Sequence, residues 1–324
     1  MSMELFEESF RSEFTKNAYK VYLRKYGLDK LSITKPKLVE SELIKFILKM
    51  KKDGKQSTAI ENYVKPVILY YKLNDVMLNT KKINRFMPEK RRIKKDRAYT
   101  HAEIYKMLEI ADERMKTVLL LLCSSGIRIG TVPDIRLHNL EDKKLTVYEN
   151  TKEEYFTFIT QECKKAIDSY LNMRERYGEK LTNDSILIRE QFDIRDTHQI
   201  RKARQISTDA IRWMIVDISK RCGVRSTEVP IAHGFRKFFT TQLIQSKVNP
   251  EIREMLLGHK IGLASAYYRP TEDEMYLEYE KALDNLTINE ENRLRRKVET
   301  LTIEKSRLDR IEEKMLKMEQ MYKK

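Results

Sequence analysis

His233-Gly234-Phe235-Arg236, Asn249-Pro250-Glu251, Leu256-Leu257-Gly258-His259 and Ala266-Tyr267-Tyr268-Arg269-Pro270 follow one another between residues 233 and 270, and this stretch decides the fold. A histidine and an arginine at i, i+3 share one face of a helix. Phe235, Phe238, Phe239 and Leu243 are spaced to bury the rest of that helix and hold it in place. Asn249 ahead of Pro250 is a helix start and Gly258 a helix stop. A short helix is thereby pinned between two polar clusters.

Working upstream, Thr100-His101-Ala102-Glu103 has the form of a capping box, and Ile104, Met107, Leu108 and Ala111 follow at helical spacing, so a domain begins here. The next helix turns Met115, Val118, Leu119 and Leu122 inward and ends near Gly126, where the chain can turn sharply and present Ile127-Arg128-Ile129-Gly130 at a surface. Lys144 to Tyr148 and Tyr155 to Ile159 are short β-prone runs around Asn150-Thr151-Lys152, a hairpin with Lys152 near its tip. Helices are expected over 161–177 and 208–221, the second carrying Trp213 as a core residue.

Residues 5 to about 86 read as a small helical unit, with Phe14, Tyr19, Tyr22 and Leu23, then Ile60, Val64, Val67, Ile68 and Tyr71, at helical spacing on either side of Asp53-Gly54-Lys55. Between the two units, Pro88 to Arg97 holds six basic residues in ten, Lys90, Arg91, Arg92, Lys94, Lys95 and Arg97, without periodicity. It reads as an interdomain linker lying along a phosphate backbone. From about Asn289 the chain is a charged amphipathic helix with coiled-coil character. Leu294, Val298 and Leu301 follow a heptad seam, Lys305 interrupts it, and Leu308, Ile311, Met315, Met318 and Tyr322 resume out of phase. The fold class expected is mainly α with a small β-hairpin or sheet (α+β), divided as 1–87, 88–98, 99–285 and 286–324.

The composition narrows the partners. In 324 residues, 64 Lys and Arg against 49 Asp and Glu give a formal charge of +15, which calls for a polyanion, nucleic acid before anionic membrane. No apolar run approaches the roughly 20 residues that span a bilayer, and Met1-Ser2-Met3-Glu4 has no signal-peptide character, so no membrane role and a cytoplasmic location are expected. Cys123, Cys163 and Cys222, widely spaced and without a CxxC, read as buried thiols rather than a disulfide framework or a zinc site.

Attack on a DNA phosphodiester without a metal needs cations for the non-bridging oxygens, a nucleophile, and an acid for the departing 5′ oxygen. Arginine suits the first task because its planar fork grips phosphate through two hydrogen bonds and keeps its charge. Arg128, just past a helix end, and Arg236, one polar unit with His233, are the candidates.

Taken together and in order, Gly126-Ile127-Arg128, Lys152, His233 to Arg236, Leu257-Gly258-His259 and Tyr268 resemble the pattern of the tyrosine recombinase or phage integrase family, with wording similar to archaeal Xer-like and archaeal viral integrases. The resemblance covers residues 100 to 285 strongly, and the 5–86 unit resembles the family's core-binding domain more loosely. It implies that Arg128 and Arg236 clamp the scissile phosphate, Lys152 protonates the leaving 5′ oxygen, His233 assists proton transfer, His259 hydrogen-bonds the phosphate and Tyr268 attacks. It also implies double-stranded DNA as partner, self-association on DNA as dimer or tetramer, nucleoid association, and no cofactor, metal or ATP.

Three features depart from the pattern. Thr131 stands where an acid is usual, with Asp134 the nearest carboxylate; Tyr267 adjoins Tyr268; and Lys143 or Lys144 is an alternative to Lys152. A type IB topoisomerase would use much the same residues, and a DNA-binding protein without catalysis should have lost one of Arg128, Arg236 or Tyr268. A metal-dependent hydrolase would need clustered carboxylates or an HExxH-like spacing, which the chain lacks.

Overall fold

A computed structural model describes residues 2–89, 96–260, 262 and 268–322. The fold is mainly helical with one small antiparallel sheet, and the chain divides into two compact units, Met1–Lys94 and Lys95–Lys324.

The first unit contains α1 (Met3–Glu8), α2 (Glu13–Tyr26), α3 (Pro36–Lys52), α4 (Ser57–Leu73) and α5 (Thr80–Asn84). Ser12 caps α2 by accepting from the Thr15 amide, and Gly54 makes the break after α3 with a φ of 70°. Leu23, Leu43, Ile47, Ile60, Val67 and Tyr71 close its core. Phe14, although in phase with other apolar positions, is 85% exposed.

In the second unit Thr100 forms a complete capping box with Glu103 at the start of α6 (His101–Ile110). The next helix, α7 (Glu113–Ser125), is buried on almost every side and packs against α8 (Gln161–Arg176), so it runs through the middle of the core. It stops at Gly126, whose φ of 63° is left-handed and whose missing Cβ makes room for Phe239, 2.2 Å from an ideal Cβ. The sheet has the order β1 (Leu140–Glu141), β2 (Lys144–Val147), β3 (Tyr155–Phe158), with Lys144 opposite Phe158 and Val147 opposite Tyr155. The hairpin was legible; β1 was not.

Helices α9 (Thr197–Arg201), α10 (Thr208–Arg221), α11 (His233–Gln245), α12 (Pro250–Leu256), α13 (Glu272–Glu280), α14 (Leu283–Leu286) and α15 (Glu290–Tyr322) follow. Trp213 is not a core residue: it is 68% exposed. Ile211, Ile215 and Ile218 form the inward stripe of α10, and a residue two positions from Ile211 points roughly to the opposite side. Cys222 is likewise only partly buried, while Cys123 and Cys163 are buried. Under the core, Glu179 bridges Arg174 at 2.5 Å and Arg189 at 2.6 Å, all three buried.

Glu162 of α8 anchors the root of α15 by accepting from the amides of Ile288 (2.8 Å) and Asn289 (3.0 Å). Beyond that root, Leu294, Val298, Leu301, Leu308, Ile311 and Met315 are 44–64% exposed. The side chains of Met318 and Tyr322 lie outside the described residues. Among the described residues no helix is long and apolar enough to cross a membrane.

Candidate active site

Arg236 sits on α11, which is held by Phe235, Phe238, Phe239 and Leu243, all fully buried. Gly234 lets the helix approach Tyr99: an ideal Cβ there would come within 2.7 Å of the ring. Arg236 itself is only 6% exposed. Its Nη1 donates to the carbonyl of Gly126 (2.7 Å), and its Nη2 to the carbonyl of Leu257 (2.5 Å) and to Nε2 of His259 (2.8 Å). Burial and the neighbouring Arg128 charge press its pKa below the usual arginine value. Two helix ends, the αL turn at Gly126 and the turn at Leu257-Gly258, thus converge on one guanidinium.

Arg128 follows two residues after the carbonyl that Arg236 grips, on exposed extended backbone leading into a 3₁₀ turn at Ile129–Asp134. Among the described residues its side chain has no hydrogen-bond or ion-pair partner. Thr131 is buried and donates to the Tyr148 hydroxyl (3.3 Å), and Asp134 accepts from Gln205, so neither supplies the usual acid.

Three adjoining cavities share these walls. The largest, about 780 Å³, is lined by Arg128, Lys152, His259, Gly258, Tyr148 and Tyr155 among others. A second of about 380 Å³ brings Arg128 together with His233, Arg236 and Arg212. Tyr268 lines a third, of about 410 Å³, with Lys144 and Arg269; Glu154, Tyr155 and Met255 belong to both this cavity and the largest. The structure therefore gathers Arg128, Lys152, His233, Arg236 and His259 and leaves Tyr268 one wall away. Tyr267 lies outside the described residues.

Partial desolvation, with the charges of Lys237 and Arg236, lowers the pKa of His233 and favours its neutral form. The lysines separate cleanly. Lys143 donates to the Tyr276 hydroxyl (3.3 Å), Lys144 is paired with Glu272 at 2.7 Å, and Lys152 has no hydrogen-bond or ion-pair partner among the described residues. Of the basic run, Lys90, Arg91, Arg92, Lys94 and Lys95 lie outside the described residues. Arg97 is described, and its guanidinium is held by both oxygens of Glu103, at 2.7 and 2.9 Å.

Sequence reasoning missed Tyr155, Glu254 and Arg212. Tyr155 is a strand residue whose buried hydroxyl faces Arg236; burial raises its pKa, against the fields of Arg236 and Arg128. Its ring lies against Gly258, where an ideal Cβ would be 2.4 Å from Cε1, and Gly258 has a φ of 64°. Glu254 accepts from Nδ1 of His259 at 2.6 Å. Since Arg236 can only donate, Nε2 of His259 is the acceptor and Nδ1 carries the proton. A carboxylate five residues before a histidine at a helix end was the only available signal for Glu254. Among the described residues no group of three or more His, Cys, Asp or Glu is placed to hold a metal ion.

A sequence profile of the phage integrase family matches residues 97–274. The tyrosine recombinase XerC of Leptospira interrogans is 23% identical over 209 residues, 63% of this chain and 62% of that protein, so the match spans less than two thirds of that relative. The tyrosine recombinase XerA of Pyrococcus horikoshii is 21% identical over 282 residues, 84% of this chain and 88% of that protein. In fold, the chain is similar to a lambda integrase (75–356) dimer bound to a COC′ core site, with a TM-score of 0.57, 16% identity, and 82% of this chain and 93% of that chain covered.

Proposed function

The chain belongs to the phage integrase family, and on that premise we propose that it is a site-specific DNA recombinase that cuts and rejoins double-stranded DNA through a 3′-phosphotyrosyl intermediate. Tyr268 attacks the scissile phosphorus, Arg128 and Arg236 hold the non-bridging oxygens, and Lys152 protonates the departing 5′ oxygen. His233 assists proton transfer and His259 hydrogen-bonds the phosphate. The ester stores the bond energy, so rejoining needs neither ATP nor a metal.

The observation that supports the reading is Arg236 itself, a buried guanidinium fixed by the carbonyls of Gly126 and Leu257 with Arg128 beside it. Two cations so placed repel one another until an anion joins them, and they stabilise most the state carrying most charge. To attack, Tyr268 must pass the wall formed by Tyr155 and Met255. The test is a suicide duplex carrying a site selected from random DNA by the full-length protein. A covalent adduct should form with EDTA present, vanish in Tyr268→Phe and persist in Tyr267→Phe. An adduct that survives Tyr268→Phe, or that needs added metal, overturns the reading.

By the same reading, residues 1–87 are a core-binding domain, 88–98 a linker along the phosphate backbone, 99–285 the catalytic domain, and 286–324 a helix that contacts a neighbouring protomer. The protein works in the cytoplasm at the nucleoid, and a fluorescent fusion should follow the DNA stain. The phase break at Lys305 gives α15 two short contacts rather than one continuous coiled coil. Removing residues 300–324 leaves Ile288 and the Glu162 anchor intact, so folding should be spared while assembly on paired sites falls. Sedimentation on paired sites decides: unchanged assembly refutes the role of the tail.

A further inference from the structure

An arginine binds phosphate bidentately through one of two edges, Nε with Nη2 or Nη1 with Nη2. Both edges of Arg236 run through Nη2, and both Nη2 hydrogens are committed, one to Leu257 and one to His259. Neither fork is open. One of those bonds has to give way before Arg236 can take a phosphodiester in a forked grip. The Leu257 bond is to a buried backbone carbonyl, whereas His259 is a side chain 41% exposed at the cavity wall, so the histidine bond is the one that can be released.

Release leaves a second problem. The Nε2 of His259 then turns a lone pair toward the oxygens of the arriving phosphate, and two acceptors face each other. A proton on Nε2 removes the conflict and makes the ring a donor. Glu254 stands behind the ring, accepting from Nδ1 at 2.6 Å, and is itself held by Arg253 Nε at 3.2 Å. The hydrogen bond from His259 holds its carboxyl below the usual range, so it remains an anion. Resting on the recombinase reading above, we infer that Glu254 is a positioning residue for a proton-linked handover. Glu254 fixes the Nδ1–H tautomer of His259, Nε2 stores Arg236 while no DNA is bound, and a phosphodiester then takes Nη2 as Nε2 gains one proton from solvent.

The groups facing the His259 ring are consistent with this direction. Arg236 comes from α11, Arg128 from the turn after α7, Lys152, Glu153 and Glu154 from the hairpin, Glu254 from α12 and Lys260 from the adjoining turn. A phosphate that enters among these groups adds a negative charge beside the ring. Protonation thus follows phosphate entry.

The test is calorimetry of the full-length protein with the selected duplex at pH 8, in two buffers of different ionisation enthalpy. The wild type should take up about one more proton than His259→Gln, which places an amide near Nε2 and cannot titrate. In Glu254→Gln, whose amide oxygen can still accept from Nδ1–H, that uptake should fall by more than half and affinity by about tenfold, the scale of losing the charge assistance of one hydrogen bond. Equal uptake in wild type and His259→Gln overturns the inference, as does unchanged uptake in Glu254→Gln. Nitrogen-15 spectra of the DNA-free protein, labelled at histidine, give a second reading: Nε2 of His259 should be bare and Nδ1 protonated, and the reverse overturns it. Loss of the Tyr268 adduct in the wild type would instead sink the recombinase reading, so the two failures are distinct.

Discussion

Replacing Gly258 by alanine tests how the two ends of the clamp are held together. The backbone at 258 has a φ of 64°, in the left-handed region, which costs an L side chain about 1–2 kcal/mol. The added Cβ would also stand 2.4, 2.5 and 2.7 Å from Cε1, Cδ1 and Cζ of Tyr155, distances that no relaxed contact allows. Moving a packed ring away adds about 1–3 kcal/mol. Together these give about 2–5 kcal/mol, or roughly 30-fold to a few thousand-fold in the folding equilibrium. The consequence reaches the site because Arg236 bonds the residues on both sides of Gly258, Leu257 and His259. A displacement of about 1 Å there should lower single-turnover cleavage about 100-fold. Urea unfolding followed by far-ultraviolet circular dichroism measures the first effect, and adduct formation the second. Gly130→Ala is the control: nothing lies within 4 Å of an added Cβ, and the change should be neutral or stabilising by up to about 1 kcal/mol. Tyr155→Leu combined with Gly258→Ala should recover the packing part and leave the backbone part. If Gly258→Ala lies within about 0.5 kcal/mol of the wild type, the wedge argument is wrong.

Arg128→Ala and Arg236→Ala should each slow cleavage by about 10² or more while weakening DNA binding far less, as single-turnover and binding measurements would show. Only Arg236→Ala should also destabilise the fold, since the carbonyls of Gly126 and Leu257 lose their donor. Burial alone would raise the pKa of Glu179, but hydrogen bonds from Arg174 and Arg189 outweigh it and hold the carboxyl low. Its contribution to stability is therefore complete above the unfolded value of about 4.3 and is lost as pH falls through the lower folded value. Glu179→Gln should flatten the acid limb of the stability curve, and Glu179→Ala should cost about 3–5 kcal/mol at neutral pH by leaving two buried arginines unpaired. An unchanged acid limb would refute this account. Replacing Arg91, Arg92, Lys94 and Lys95 with alanine should flatten the slope of log affinity against log salt by about 0.9 per lost phosphate contact. An unaltered slope would make the run a solvated spacer, and Arg97, already held by Glu103, should contribute little.

The parts of this protein legible from its sequence are those decided within a turn or two of chain. Thr100 and Glu103 predicted a capping box, Gly126 and Gly258 predicted left-handed helix ends, and Asn249 predicted a cap, because each rests on contacts between near neighbours. The order of Arg128, Lys152, His233, Arg236, His259 and Tyr268 was equally plain, and five of the six do meet around connected cavities. Trp213 shows where local reading fails: its side of α10 is set by which stripe the rest of the unit covers, and Ile211, Ile215 and Ile218 took the core.

The sequence by itself determined the helical class, the hairpin, the helix ends marked by Thr100, Gly126, Asn249 and Gly258, and the set of polar groups available for phosphate chemistry. Only the tertiary structure decided that Arg236 is buried and bound to carbonyls 110 and 21 residues away, that Tyr155 wedges against Gly258, and that Glu254 fixes the proton on His259. It also decided that Lys152 rather than Lys144 stands with Arg128, since Glu272, on a helix far along the chain, pairs with Lys144. The reason is physical. Caps and turns are satisfied by hydrogen bonds a few residues apart, whereas the environment of a buried charge is set by whichever distant segments packing brings against it, and spacing along one chain does not record that.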